Sequence, residues 1–130
     1  MTSLKINTGD ISLEILGDDD KPRGVFKFNP EDIVTTKKFL QVQKDFALME
    51  KEYQDRAAMT EDTLEVAGLL AEIVTFLKTK LDEVYGENTS KVLFGDACTL
   101  SMFSDFFDGI EPYYTKAINK MRKKYSKNGK

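Results

Sequence analysis

Hydrophobic and polar residues alternate in two short segments near the N-terminus. Ile11, Leu13 and Ile15 are each separated by one residue, and Phe26 and Phe28 repeat this spacing after a polar stretch. An apolar side chain at every second position is typical of a β-strand with one buried face. The pattern therefore predicts two strands that pair with each other.

The polar stretch between these segments, GDDDKPRG, predicts a hairpin turn, because glycine and proline favour turn conformations. Its three aspartates could also suggest a calcium loop. An EF-hand loop needs glycine at its sixth position, however, and counting from Asp18 places Arg23 there. A solvated turn is the favoured interpretation. Leu4 and Ile6 extend the first strand, so that the predicted hairpin spans about residues 4–28.

The next segment carries apolar residues at steps of three and four, which is the spacing of an α-helix. Asn29 and Pro30 predict its start, since an asparagine side chain caps free backbone N–H groups and proline suits the first helical position. The helix is predicted at about 30–57. Its stripe of Phe39, Val42, Phe46, Met49 and Tyr53 covers only about two heptads. Ordinary core is therefore favoured over a coiled-coil seam.

A second helix is predicted at about 60–85, from cap residues at 60–62 and a broad apolar face that ends at Gly86. The width of this face indicates packing on several neighbours within the chain or on a second subunit. Residues 91–94 follow as a single turn, and Gly95 ends that turn.

A third long helix is predicted at about 99–115. Gly109 and Pro112 lie inside its pattern, so one kinked helix or two helices in tandem would both fit. We call its large apolar residues the aromatic cluster: Phe103, Phe106, Phe107, Ile110, Tyr113 and Tyr114.

These elements predict an α+β fold, mainly α, in which an N-terminal β-hairpin packs on a bundle of three to five helices. With 130 residues the chain fits one globular domain, which we assign to residues 1–115. A basic helix end and tail follow at 116–130.

The composition restricts the chemistry. The chain has no histidine and one cysteine, so Ser-His-Asp and Cys-His arrangements, His-based zinc sites and a four-cysteine zinc site cannot be built. We expect a protein that is not an enzyme and has no metal or cofactor. Cys98 precedes an apolar run and is interpreted as a core residue rather than a nucleophile. Asp105, Asp108 and Glu111 could imitate a carboxylate metal site, but a solvated helix face is favoured.

The same composition bears on location. No segment approaches the roughly 20 apolar residues that span a bilayer, and the N-terminus lacks the features of a signal peptide. A single cysteine is unusual in a small secreted domain. We therefore expect no membrane contact and a place in the cytoplasm.

Charge is distributed unevenly along the chain. Residues 116–130 hold seven basic residues and no acid, whereas the rest of the chain holds 12 basic and 22 acidic residues. A +7 tail on a −10 body suggests contact with an acidic surface, on a neighbouring copy or on a partner; nucleic acid is less favoured. A helix end whose cations suit the C-terminal dipole would explain the same residues without a partner.

The aromatic cluster places six large side chains within twelve residues, and steps of 100° spread them around the helix. Either the hairpin and the other helices cover them all, or some are exposed for a second copy or a partner. We favour the second interpretation and expect a homo-oligomer. The predicted partner-binding residues are the aromatic cluster and the basic residues Lys116, Lys120, Arg122, Lys123 and Lys124.

Two stretches resemble a known family. FKFNPED at 26–32 precedes a lysine-bearing helix, and KVLFGD at 91–96 precedes the aromatic helix and a basic KKYSK end. In this order they resemble the small tail-assembly proteins of tailed, siphovirus-type phages and prophages of Gram-positive bacteria, over most of residues 10–127. The family often continues its FG turn with an Asn-Pro pair, whereas this chain reads Ala97-Cys98.

The resemblance implies a tail assembly chaperone, which acts in the cytoplasm of the bacterial host. Such a protein coats the tape-measure protein, recruits the major tail protein and leaves as the tail tube polymerises. A structural virion component, such as a connector or a tail-completion subunit, is the alternative and would use the same surfaces permanently. A carboxylate enzyme is the least favoured class.

Overall fold

The structure, a computed structural model, describes the backbone of residues 1–128 and the side chains of residues 1–125. Two strands come first, β1 (Ile11–Leu16) and β2 (Pro22–Phe28), followed by four helices. The helices are α1 (Ile33–Ala58), α2 (Thr63–Tyr85), α3 (Thr89–Phe94) and α4 (Ser101–Asn128). The predicted fold, α+β and mainly α with an N-terminal hairpin, is confirmed.

The hairpin has the predicted alternation. β1 and β2 pair antiparallel with Leu13 opposite Phe26, and the inward side chains of both strands are buried or half-buried. The predicted extension of the first strand is wrong: Leu4 and Ile6 precede β1 and are exposed. Among the described residues the sheet has only these two strands, so that segment has no strand to pair with.

Helix α1 begins three residues later than predicted. The carboxylate of Asp32 caps it, accepting a hydrogen bond from the Thr35 N–H at 3.0 Å. Asn29, the predicted cap, lies in the preceding turn. Its side-chain oxygen accepts from the Glu31 N–H at 2.9 Å, and its amide group donates to the Thr8 carbonyl at 2.5 Å.

Helix α4 lies at the centre of the core. On one side it meets α1, where the Phe39 ring stacks on Tyr114 at 4.5 Å between centroids and Phe46 contacts Phe103. These pairs show that α1 and α4 run antiparallel. On another side α4 meets β2, with Phe26 and Phe106 at 5.6 Å between ring centroids. Buried residues of α2 and α3 complete the same core.

The connection from α2 to α3 is held by one carboxylate. Asp82 accepts hydrogen bonds from the backbone N–H of Ser90 at 2.7 Å and from its hydroxyl at 3.1 Å. Gly86 ends α2 with a φ of 113°, as the sequence predicts, and α3 then begins at Thr89, two residues earlier than predicted.

Helix α4 is a single element. Pro112 lies inside it, so the alternative of two helices in tandem does not occur. Proline removes one backbone N–H, and the buried aromatic contacts on either side of this position hold the helix together. The helix also continues past residue 115 to Asn128, so the basic segment, as far as it is described, is a prolongation of the core helix.

Candidate protein-binding surfaces

The aromatic cluster lies in the core. Five of its members are buried, with exposed fractions of 7% or less, and Tyr113 is half-buried. The expectation that this cluster stands exposed on the surface is therefore wrong for five residues, and partner binding through any of them stays a prediction: Phe103, Phe106, Phe107, Ile110 and Tyr114.

The reason is that α4 is covered from several directions. Phe107 packs against Phe39 of α1, while Phe106 contacts Phe26 of β2 at 5.6 Å between ring centroids. Side chains on different sides of α4 are thus each packed against another element of the same chain. The expectation of a homo-oligomer loses this support and depends on other surfaces.

A cleft of about 570 Å³ opens between β1, the C-terminal end of α3 and the first half of α4. Phe94, Phe106 and Ile110, which are buried, form its floor, and Leu13 and Ile15 of β1 form one wall. Four charged residues line it among the apolar ones: Glu14, Asp18, Arg23 and Asp105. An apolar floor with a polar rim is typical of a surface that binds a peptide or protein segment.

The cleft runs along β1, since four consecutive residues of that strand line it. The outer edge of β1 has no neighbouring strand in the described chain. Such an edge carries free backbone N–H and C=O groups and can pair with an added strand.

The sequence alone does not identify this cleft. Phe106 and Ile110 were predicted to bind a partner, and the structure places both on its floor. The wall residues Leu13 and Ile15 carry only the signal of a half-buried strand. Gly109 also lines the cleft, and a Cβ at that position would meet no atom within 4 Å. In the sequence, a glycine inside a helical pattern is the one local signal that marks this open space.

The predicted basic residues of α4 are all on the surface. Lys116, Lys120, Arg122, Lys123 and Lys124 are exposed, and the ion pairs among the described side chains do not include them. The side chain of Lys127 and all of Lys130 lie outside the described residues. Tyr114 and Ile118 mark where α4 passes the first turns of α1, so the following basic turns extend beyond that helix.

The carboxylates of α4 form no metal centre in the described chain. Asp105, Asp108 and Glu111 are exposed, and Glu111 accepts a hydrogen bond from the Gln43 amide at 2.6 Å. Within residues 1–128 no group of three or more ligand-type side chains is placed to hold a metal ion.

Cys98 is not a core residue, so that prediction is wrong. It lies exposed in the connection between α3 and α4, with its sulfur 3.9 Å from the Lys78 ammonium group. The neighbouring residues 96–99 are also exposed, because this connection crosses the surface to reach α4.

Two tyrosines form the only shifted titratable pair in the described chain. The hydroxyl groups of Tyr85 and Tyr114 lie 2.8 Å apart. Burial raises the pKa of both hydroxyl groups above their ordinary value, and for Tyr85 the neighbouring Tyr114 adds to the effect. Both hydroxyl groups therefore stay protonated near neutral pH, and their role is to join α2 to α4.

Comparison of the chain with protein-family models, with curated proteins and with solved structures finds no significant match. Among the described residues, no helix combines the length and the apolar character that crossing a membrane requires.

Proposed function

We propose that this protein is a phage tail assembly chaperone, which binds the tape-measure protein and recruits the major tail protein without a catalytic step. The observation that carries the proposal is the cleft between β1 and α4. It combines a free strand edge with an apolar floor, and this combination suits an extended segment of another protein.

The way such a segment would bind follows from the strand edge. Its backbone would pair with β1, and every second side chain would reach the floor formed by Phe94, Phe106 and Ile110. Main-chain pairing recognises many sequences, which suits a protein that must bind repeatedly along a long partner.

The cleft is open, so each contact would be modest. Many such contacts along one tape-measure chain give high avidity, while each copy can still be displaced singly as the tube grows. The exposed cations of α4 would attract acidic segments and raise the association rate. The order of the FKFNPED and KVLFGD motifs supports the same assignment. The proposal places the protein in the cytoplasm of the bacterial host.

The binding test uses the tape-measure protein, co-expressed with this chain and captured by a tag on it. Gly109→Arg introduces a long side chain into the cleft from a position where an added Cβ meets no atom within 4 Å, and it should abolish capture. Gly68→Arg is the matched control: Gly68 is also helical and open, and it lies on α2 outside the cleft. Capture that survives Gly109→Arg would contradict the assignment of the cleft.

A second measurement separates a chaperone from a structural component of the virion. Mass spectrometry of purified virions should find no copy of this chain. A fixed copy number in the mature particle would favour a connector or a tail-completion subunit.

A further inference from the structure

A shallow groove lies on α1, away from the cleft. We call it the α1 groove; its volume is about 390 Å³, and its apolar lining is Ile33 and Leu40 of α1 with Ile118 of α4. Lys37 and Lys44 border it, and no acidic residue lines it. Ile33 is 60% exposed and Leu40 is 41% exposed, so this apolar surface is uncovered.

A second uncovered apolar surface lies at the other end of α1. We call residues 59–65 the hairpin tip. They join α1 to α2 and include the first residues of α2, so the tip belongs to this helical hairpin and not to the β-hairpin. Met59 is 86% exposed and Leu64 is 80% exposed. Glu61, Asp62 and Glu65 are exposed and lie within a few residues of them in the sequence, so that this apolar apex has carboxylates beside it.

The two surfaces carry opposite charge. Lys37 and Lys44 border the α1 groove, whereas residues 59–65 of the hairpin tip contain three acids and no basic residue. An apolar apex with carboxylates beside it complements an apolar groove bordered by lysines, both in the charge at the rim and in the apolar centre.

One copy cannot bring these surfaces together. The groove lies on the first turns of α1 and the hairpin tip follows its last turn. Leu40 and Ala58 are 18 residues apart on one helix, a separation of about 27 Å at 1.5 Å per residue. A contact between them would therefore join two molecules.

We propose that the hairpin tip of one copy docks in the α1 groove of the next, so that copies of this chain associate head to tail. Such a contact uses different surfaces on its two sides, and it continues from copy to copy until a ring closes or an open row forms. Neither surface shares a residue with the cleft between β1 and α4, so each copy keeps that cleft free. The inference does not depend on the proposed function, because it concerns the protein alone.

The test uses two variants of the purified full chain, measured by size exclusion with light scattering at high micromolar concentration. Leu40→Asp places a carboxylate in the groove, opposite the carboxylates of the tip. The tip variant combines Met59→Ser with Leu64→Ser. All three side chains are exposed, so the fold should persist, and circular dichroism checks this. Each variant should associate at least about tenfold more weakly than the wild type, as the loss of one buried leucine implies.

Mixing the two variants tests the head-to-tail geometry. The groove variant keeps an intact tip and the tip variant keeps an intact groove, so the mixture should form a 1:1 pair of 14.8 kDa chains that grows no further. Val25→Asp is the matched control for added charge, because Val25 is 61% exposed on β2, outside both surfaces. It should leave association unchanged.

Three outcomes would overturn the proposal. The wild type could remain a monomer at high micromolar concentration, or both variants could assemble as the wild type does. The mixture could also fail to form the pair, which would exclude a contact between tip and groove. None of these outcomes involves the tape-measure protein, so they leave the proposed function to its own test.

Discussion

At the scale of single residues, the start of α1 shows how a local signal can be misread. Asn29 and Pro30 form a strong helix-start motif, yet Asp32 provides the cap. The amide of Asn29 instead reaches the Thr8 carbonyl, 21 residues earlier in the chain. A hydrogen bond to a residue so distant in the sequence cannot be recognised from the local pattern. The sequence therefore predicts the cap at Asn29 and not at Asp32.

The cap makes a prediction about stability. Asp32→Ala should lower the free energy of unfolding by about 1 kcal/mol, because the Thr35 N–H loses its acceptor and the positive end of the helix dipole loses a neighbouring charge. Chemical denaturation measures this difference. Asp32→Asn is the control, since asparagine caps nearly as well, and equal losses for both variants would argue against a capping role.

At the scale of the elements, the burial of α4 differs most from what its sequence predicts. Its aromatic residues point to several sides of the helix. The sequence does not reveal how many other helices and strands pack against it. The structure covers α4 with α1 on one side and with β2 and α3 on others, so that Phe103 and Phe107 are buried. Periodicity predicted the helix correctly; the burial of its faces depends on contacts between distant segments.

Glycines in and after α2 allow a prediction at the same scale. Gly68 lies inside the helix, and an added Cβ would meet no atom within 4 Å. Gly68→Ala should therefore raise the free energy of unfolding by roughly 0.4–1 kcal/mol, because alanine restricts the unfolded chain and favours helix.

Gly86 provides the contrast. It also faces open space, but its φ of 113° lies in a region that residues with a side chain rarely adopt. Gly86→Ala should be destabilising for that reason alone. Thermal or chemical unfolding of the two variants would show opposite signs, and a loss of stability for Gly68→Ala would mean that a side chain is not tolerated there.

At the scale of the whole molecule, the sequence predicts the fold class, the hairpin alternation and the sign of the charged segments. These features depend on local periodicity and on composition, which one sequence displays directly. The cleft and the α1 groove could not be predicted, because each is lined by side chains from separate elements: Leu13 and Ile110 line the cleft, and Leu40 and Ile118 line the groove. The described basic residues at the end of α4 are exposed: Lys116, Lys120, Arg122, Lys123 and Lys124.

The hydroxyl pair of Tyr85 and Tyr114 ties α2 to α4 and so links proton binding to the unfolding of the whole chain. Burial raises the pKa of both groups above the ordinary value of 10.0. When the pH rises above this value, the two hydroxyl groups lose their protons in the unfolded chain and keep them in the folded chain. Stability from this pair is therefore complete below pH 10.0 and declines as the pH rises further.

The decline should reach at most about 1.4 kcal/mol per pH unit for each hydroxyl group. Urea denaturation at a series of alkaline pH values measures it. The variant carrying Tyr85→Phe and Tyr114→Phe should lose less stability over the same range, because phenylalanine has no proton to release. Lysine titration affects both proteins alike, so the difference between them isolates the pair. Tyrosinate absorbance of the pair, taken as wild type minus variant, should appear only together with unfolding; absorbance that appears in the folded protein would show that the two hydroxyl groups are not shielded from solvent.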